Sequence, residues 1–335
     1  MTNQHPFIKV VKSIYINGCF DVFMESTLGM YYTIQIETKR GIHMGKRLKK
    51  DKRHFINVIK PMLLIMVMIL ILIVILMQTP FYPWAKSMTV MSIYSRYESG
   101  YSLLKDKNIQ IKIPGGLQTK EKDWYPFVMT FNDDRGFSRF MGEPMRMTVL
   151  YNFGHFSPLK GYASYYDLDS PYYNSFYGAY GVSKASEEAF GFIDGEADHE
   201  AISKVPEFDM VRLVLESIGS YDNTFEYEVI TEEKAVLFNE PDWLVIDAKI
   251  KVNGSMHTYK KDHRAYIQYG KPPKTSSVEE SPVEDFAVVD MVGRIYAKHY
   301  EEKNITLFFY CITRDEAVIE DWDADIMNQT RLIMH

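Results

Sequence analysis

Residues 61–85 read PMLLIMVMILILIVILMQTPFYPWA and contain twenty-five residues without one charged side chain. Apart from the opening proline, the first seventeen are aliphatic residues or methionine. An α-helix needs about 20 apolar residues to cross the roughly 30 Å hydrocarbon core of a membrane. A buried helix of a soluble domain would carry a polar stripe, and this stretch has none. The sequence therefore predicts a single transmembrane helix over residues 61–85.

Charge is distributed unevenly on the two sides of this apolar stretch. Residues 1–78 carry eleven Lys/Arg and four Asp/Glu, and seven of these bases lie between positions 46 and 60. Basic flanks stay on the cytoplasmic side of a membrane, and aromatic rings favour the headgroup layer. Three such rings follow the apolar run, at Phe81, Tyr82 and Trp84. We therefore expect residues 44–60 to be a basic cytosolic lead-in and the C-terminal part to lie outside.

A cleaved signal peptide fits the same stretch less well than a permanent anchor does. Its apolar run is longer than the usual core of about 7–15 residues, and no small-residue cleavage site follows it. Residues 86–107 then read as a helix or stalk that leads into a domain over residues 108–335. The pattern thus predicts a signal-anchor at the cell membrane.

Residues 1–43 differ in composition from the rest of the chain. Codons for Lys39-Arg40-Gly41 can form a purine run that resembles a ribosome-binding site, six nucleotides before Met44. We interpret Met44 as the true start and residues 1–43 as upstream sequence, with a short cytosolic tail as the alternative.

The remaining part of the chain is acidic and poor in cysteine. Residues 79–335 hold 27 Lys/Arg and 40 Asp/Glu, a net charge of −13, which argues against nucleic acid as a partner. Cys19 and Cys311 are the two cysteines and lie on opposite sides of the predicted span. A disulfide scaffold is therefore excluded, and the layout is typical of an envelope protein of a Gram-positive bacterium.

Strand patterns dominate the region beyond the predicted span, so we expect an α+β fold with a largely antiparallel sheet and one or two helices. The best helix is predicted over residues 206–218, with Pro206 in its first turn, and a shorter helix over 315–321. The turn-rich segment 132–136 separates two strand candidates, and residues 270–285 are expected to be an exposed loop. The predicted strands are 109–113, 124–131, 145–153, 224–230, 235–238, 243–252, 256–268, 286–299 and 305–313, with a hairpin at Asn253-Gly254.

Residues 151–180 form the most unusual stretch of the outer part. Eleven of the thirty are aromatic, interleaved with glycine and proline, so we expect the rings to lie on irregular backbone. Tyr151 and Phe153 should point into the core. Exposed tyrosines on loops make good binding surfaces. The candidate binding residues, predicted to border a solvent-facing patch, are Tyr165, Tyr166, Tyr172 and Tyr173; the alternative is that the rings pack onto the sheet.

Catalytic and metal-binding motifs receive little support from the sequence. His155, Ser157, Asp167 and Asp169 lie close together, but no G-x-S-x-G motif accompanies them, and a serine triad is defined by geometry. Cys311 lies in an apolar strand, where a buried inert thiol is expected. The acidic runs that begin at Asp194 and Asp321 lack the glycine and glutamate of a calcium loop. We therefore expect no metal and no cofactor.

Taken together, these patterns predict a single-pass protein held in the lipid bilayer by residues 61–85, whose outer domain binds a cell-wall polymer or an envelope protein. The alternative is a membrane-tethered hydrolase that acts on cell-wall material, centred on residues 151–200. A cavity where His155, Asp167 and His199 meet would favour the hydrolase. An exposed sheet edge or a flat tyrosine surface would favour binding.

Overall fold

The computed structural model describes residues 47–79, 81–116, 124–155, 159, 163–167, 169–216, 222–254 and 287–335. The chain divides into two compact units, Met1–Ile73 and Val74–His335. We call the second unit the sheet domain. The strand predicted at 256–268, the hairpin turn at Asn253-Gly254 with its second strand, and the loop at 270–285 lie wholly or partly outside the described residues.

The apolar stretch forms helix α1, Arg47–Met77. Within it, Ile59–Met77 is long and apolar enough to cross a membrane. Every apolar side chain from Met62 to Met77 is exposed by 40% or more. The predicted span extended to residue 85, but α1 ends at Met77. A second helix, α2, occupies Phe81–Ser99.

The described strands of the sheet domain are β1 Ile109–Lys112, β2 Met129–Asn132, β3 Met145–Asn152, β4 Phe176–Lys184, β5 Phe192–Ile193, β6 Glu196–Ala197, β7 Phe225–Leu237, β8 Glu240–Asn253, β9 Val288–Tyr300, β10 Ile305–Thr313 and β11 Arg331–Met334. Seven of them form an antiparallel sheet in the order β2-β3-β4-β10-β9-β8-β7. The other described strands pair as two small sheets, β1-β11 and β5-β6.

Short helices connect and cover these strands. They are α3 Leu103–Asp106, α4 Asp134–Met141, α5 His199–Glu207 and α6 Glu316–Asp321. Both α5 and α6 continue into wider π-helical segments, Phe208–Leu215 and Trp322–Ile326. Single 3-10 turns occupy Ser164–Tyr166, Glu301–Lys303 and Met327–Gln329.

The central strand β10 is buried along its whole length, so both faces of the sheet are covered. Side chains of a strand alternate between the two faces. Phe308 and Tyr310 pack on one face, with Met91 of α2, Phe137 of α4 and Ile202 of α5; we call this the first face. The second face, which carries Phe309 and Cys311, is covered by side chains of α3, β1 and α6: Leu103, Ile109 and Val318.

The two edge strands of the sheet, β2 and β7, have different hydrogen-bonding neighbours. At the β2 edge, helix α2 supplies hydrogen bonds: the Ser95 hydroxyl accepts from the Thr130 backbone N–H at 2.9 Å. The Asn132 side-chain amide donates to the backbone carbonyl and the carboxylate of Glu98, at 2.9 and 2.8 Å. At the other edge, β7 pairs with β8 alone among the described strands.

Several sequence predictions are confirmed by this arrangement. The chain is a mixed α+β protein with a large antiparallel sheet, and the strands predicted at 109–113, 145–153 and 305–313 match β1, β3 and β10. The strands predicted at 224–230 and 235–238 are one strand, β7, interrupted by two irregularities in its pairing with β8. The short helix predicted over 315–321 is α6, Glu316–Asp321.

The helices of the sheet domain were underpredicted. Segment 132–136 was expected to be a turn, but Asp133 caps α4 by accepting a hydrogen bond from the Gly136 N–H at 2.9 Å. The helix expected over 206–218 begins earlier, at His199, where Asp198 caps it. Pro206 lies inside this helix and lacks the N–H of a regular turn, and the wider π segment follows it at Phe208.

Strand β4 was missed because its glycines resemble those of a loop. It begins at Phe176, inside the stretch expected to be irregular. A Cβ atom at Gly178 would lie 2.0 Å from the Leu150 carbonyl oxygen on β3, so only glycine permits this approach of the two strands.

The contact between α2 and β2 yields a first testable prediction. Ser95→Ala leaves the buried Thr130 N–H without its acceptor, which should lower the unfolding free energy by about 1–3 kcal/mol. The matched control is Ser92→Ala on the same helix, because the Ser92 hydroxyl is exposed and donates only to the Met88 carbonyl of its own helix. Urea unfolding of both variants measures the difference; equal stabilities would contradict the proposed closure of the β2 edge.

Candidate functional site

The outer edge of β7 is the most distinctive accessible feature of the sheet domain. The strand is thirteen residues long, and among the described strands only β8 pairs with it. In an antiparallel sheet, the backbone groups of an edge strand that point away from its neighbour remain available to another chain. Among the described residues, the outer groups of β7 have no strand partner, and an additional strand would meet them there.

Two pairing irregularities divide this edge into shorter stretches. The register with β8 shifts between Val229 and Thr231 and again between Ala235 and Leu237. Such bulges twist an edge strand and limit pairing across them. The longest undisturbed stretches are therefore the five residues Phe225–Val229 and the five residues Thr231–Ala235. Ile230, at the first irregularity, is 48% exposed.

The stretch Phe225–Val229 alternates regularly between the two faces of the sheet. Phe225, Tyr227 and Val229 are half-buried and pack against the core of the first face. Glu226 and Glu228 are exposed on the second face, opposite Lys251 and Lys249 of β8. This part of the edge thus combines an apolar row with an acidic row.

The stretch that follows the first irregularity is acidic and almost wholly exposed. The Glu232 carboxylate contacts the His199 ring at the start of α5, with a nitrogen–oxygen distance of 2.9 Å. On the other face, the Thr231 hydroxyl donates to the Asp247 carboxylate at 3.3 Å. Arg294 donates two hydrogen bonds to Asp247 at 2.7 and 2.9 Å and a third to Asp323 at 2.6 Å. Thr231 thus contacts β8 directly, and the Arg294 contacts join β9 to β8 and to the segment Trp322–Ile326.

Two of the four predicted binding tyrosines lie in the core of the first face. Tyr165 and Tyr166 belong to the 3-10 turn Ser164–Tyr166 and are only 1% and 6% exposed. Their rings pack edge to face, with centroids 5.2 Å apart, and the Tyr165 ring lies 6.2 Å from that of Phe153. The expectation that these two rings face solvent is wrong, because they supply apolar area to the core.

The other two predicted tyrosines are also packed. Tyr173 is 2% exposed, and the Arg314 guanidinium lies 5.6 Å from its ring centroid. Tyr172 is half-buried on the second face, against Trp124 at a centroid distance of 5.0 Å. The predicted tyrosine patch is therefore not formed at the surface, although Tyr151 and Phe153 point into the core as expected.

The candidate hydrolase residues do not converge on a described cavity. The Ser164 N–H donates to the His155 carbonyl at 2.8 Å, and the His155 N–H donates to the Ser164 hydroxyl at 2.9 Å. Asp167 is buried in the following turn. His199 contacts Glu232 on β7 instead. Ser157 lies outside the described residues. A depression outlined by residues 134–144 and an internal gap near Val205 are both lined by other side chains.

A buried carboxylate, which the sequence did not single out, lies between α5 and the sheet. Asp209, on the π segment Phe208–Leu215, accepts hydrogen bonds from the hydroxyls of Tyr180 at 2.5 Å and Tyr310 at 3.0 Å. Burial raises the pKa of Asp209 to about 7, and the two hydroxyls act in the opposite direction. The gap beside Asp209 has no room for a water molecule, so the two hydroxyls rather than water partner its carboxyl group, and its protonation state affects the stability of the fold.

The described residues form neither a reactive thiol site nor a metal site. Cys311 is fully buried on the second face, and burial raises the pKa of its thiol well above the usual range, which makes it unreactive. In the described ranges, no group of three His, Cys, Asp or Glu side chains could hold a metal ion. Asp198, in one of the two acidic runs, caps α5 by accepting a hydrogen bond from the Ala201 N–H.

Comparison of the chain with protein-family models, with curated proteins and with solved structures found no match. No relative therefore assigns a function or a site residue to this chain.

Asp209 gives a prediction for the pH dependence of stability. Its pKa is about 7 in the folded chain and about 4 in an unfolded one, so folding strengthens proton binding. The contribution of this group to the unfolding free energy is thus largest below pH 4 and falls by roughly 4 kcal/mol as the pH rises to 7. The difference in unfolding free energy between the Asp209→Asn variant and the wild type should therefore increase in favour of the variant from pH 4 to pH 7. Above pH 7 this difference should change little.

Urea unfolding at pH 4, 5, 6, 7 and 8 measures this difference, with Glu320→Gln, an exposed acid on α6, as the control. A difference between Asp209→Asn and wild type that is constant from pH 4 to pH 8 would show that the carboxyl group keeps an ordinary pKa.

Proposed function

We propose that this chain is a single-pass membrane protein of a bacterial envelope, with the sheet domain outside the cell membrane. Helix Ile59–Met77 would cross the bilayer, because it is long, apolar and exposed along its length. The bases concentrated before it favour a cytoplasmic N-terminus. The acidic part that follows would then face the envelope.

The sheet domain, in this proposal, binds an envelope component or a partner protein. The observation that carries this role is the outer edge of β7, which pairs with a single described strand. Addition of an extended chain to such an edge is a common mode of protein recognition, because main-chain hydrogen bonds contribute affinity without a pocket. The opposite edge is unsuited to this role, since α2 already bonds to β2.

The alternative of a tethered wall hydrolase lacks a comparable observation. His155 and Asp167 lie in the packed turns after β3, whereas His199 contacts Glu232 at the edge strand. A general acid or base must reach the same substrate as its partner group. No described cavity brings these three side chains together, so we do not propose catalysis.

One experiment tests both the location and the binding role. Ile230→Cys is introduced in a Cys19→Ser background, and intact cells are treated with a membrane-impermeant crosslinker that joins this thiol to amines. Cys311 is fully buried and should not react. We expect a crosslinked product of higher mass, because Ile230 is exposed beside the stretch Phe225–Val229, which pairs with β8 alone among the described strands.

The matched control is Glu320→Cys on α6, an exposed position on another element. It should be labelled by the reagent but should give no crosslinked product. Failure of both thiols to react in intact cells, with reaction after lysis, would contradict the outward location. Labelling of both without a product from Ile230→Cys would contradict binding at this edge.

A further inference from the structure

Charges alternate in sign from strand to strand on the second face of the sheet, near the open edge. Asp290 of β9 lies opposite Lys251 of β8, which in turn lies opposite Glu226 of β7. The Lys251 ammonium is 3.4 Å from the Glu226 carboxylate. Opposite charges that face each other across antiparallel strands stabilise the pair, and like charges destabilise it. Glu226 is the last residue of this row, so a strand added beside β7 would pair best if it placed a positive charge opposite Glu226.

A second pair of opposed residues also places a negative charge at the edge strand. Lys249 of β8 lies opposite Glu228 of β7, two residues along the strand from Glu226. Both carboxylates are exposed and on the same face. An added strand would thus meet two negative charges spaced by two residues, which is the spacing of neighbouring side chains on one face of a strand.

The residue between these two acids indicates which kind of side chain an added strand needs on the first face. Tyr227 lies between Glu226 and Glu228 in the sequence and packs, half-buried, against the core. On β8, the residue opposite Tyr227 is Ile250, which is fully buried. Strand β8 therefore meets β7 with the sequence Lys249-Ile250-Lys251, an apolar residue between two cations. A strand on the outer side of β7 would meet the same alternation.

We propose that the partner bound at this edge is an extended segment of another protein that carries Lys or Arg at two alternate positions, with an apolar residue between them. The segment would add to Phe225–Val229 as an eighth strand and place its cations opposite Glu226 and Glu228. This inference rests on the proposed function and specifies the partner of the same edge.

A second copy of this chain fits the edge less well. Antiparallel pairing of Phe225–Val229 with the same stretch of another copy would place Glu226 opposite Glu228 twice, and like charges at opposed positions disfavour pairing. A wall glycan lacks the regular main-chain N–H and C=O groups that pair with a strand. The chemistry of the edge thus favours a basic polypeptide strand.

The test uses the full-length protein in detergent and two capped, fluorescent peptides. The first, IDAKIKVN, copies residues 246–253 of β8, which already pair with β7; the second, IDAEIEVN, replaces both lysines by glutamate. Fluorescence anisotropy should show that the lysine peptide binds at least about tenfold more tightly, from two attractive pairs in place of two repulsive ones. N-methylation of the lysine peptide at alternate amides should abolish binding.

Two variants locate the binding on the chain. Glu226→Gln with Glu228→Gln should weaken binding of the lysine peptide at least fivefold, whereas Glu316→Gln with Glu320→Gln, which removes the same charge from exposed positions on α6, should leave it unchanged. Equal binding of the two peptides, equal effects of the two variants, or binding of the N-methylated peptide would overturn the inference.

The crosslinking experiment on Ile230→Cys separates this inference from the proposed function. If a crosslinked product forms in cells but is a second copy of the chain, or a protein whose crosslinked segment lacks alternate Lys or Arg, the edge binds as proposed and the inference of a basic strand is overturned. If the product is a protein whose crosslinked segment carries alternate Lys or Arg, both stand.

Discussion

Backbone hydrogen bonding at the two edges of the seven-stranded sheet is the constraint on which the rest of this structure depends. Every strand exposes N–H and C=O groups on both sides, and a sheet that does not close leaves two rows without partners. At one edge, the Ser95 hydroxyl of helix α2 accepts from the Thr130 backbone N–H of β2, and Glu98 accepts from the Asn132 side chain. At the other edge, β7 carries exposed glutamates and two bulges. Such features discourage nonspecific pairing, yet the regular stretch Phe225–Val229 remains suited to a complementary strand.

Coverage of both faces explains the buried tyrosines and the helices that surround the sheet. Strand β10 is buried on each side, so the chain must supply apolar area to two layers. The rings of Tyr165 and Tyr166 supply part of the first layer, and Tyr172 and Trp124 contribute to the second. Asp209 is a buried acid in the first layer, where the hydroxyls of Tyr180 and Tyr310 satisfy its carboxylate.

Sequence analysis predicted the elements that are determined by residues close together in the chain. The apolar run of α1 and the β-rich segments of β3 and β10 are read directly from neighbouring residues. Strand β4 was missed, because Gly178 resembles a loop residue until Leu150 of β3 is seen to lie against it. The density of tyrosines in 151–180 was evident, but the direction of each ring depends on the layers that pack above and below. Composition therefore could not place them.

The candidate site was beyond sequence analysis for a related reason. Glu226 and Lys251 are distant in sequence, and only the register between β7 and β8 places them opposite each other. Whether a strand lies at an edge is likewise a property of the whole sheet. An exposed sheet edge had been expected to favour binding over catalysis, and the place of β7 at the end of the described sheet became evident only with the strand order.

Native-state hydrogen exchange along β7 tests the central claim, that this edge is open, most directly. The measurement follows the individual backbone amides from Phe225 to Val229 in the protein without a partner. Amides directed at β8 should exchange slowly, and the alternate amides directed outward should exchange near the rate of an unstructured chain. Slow exchange at every amide of this stretch would show that the outer edge is already paired, and would contradict the account.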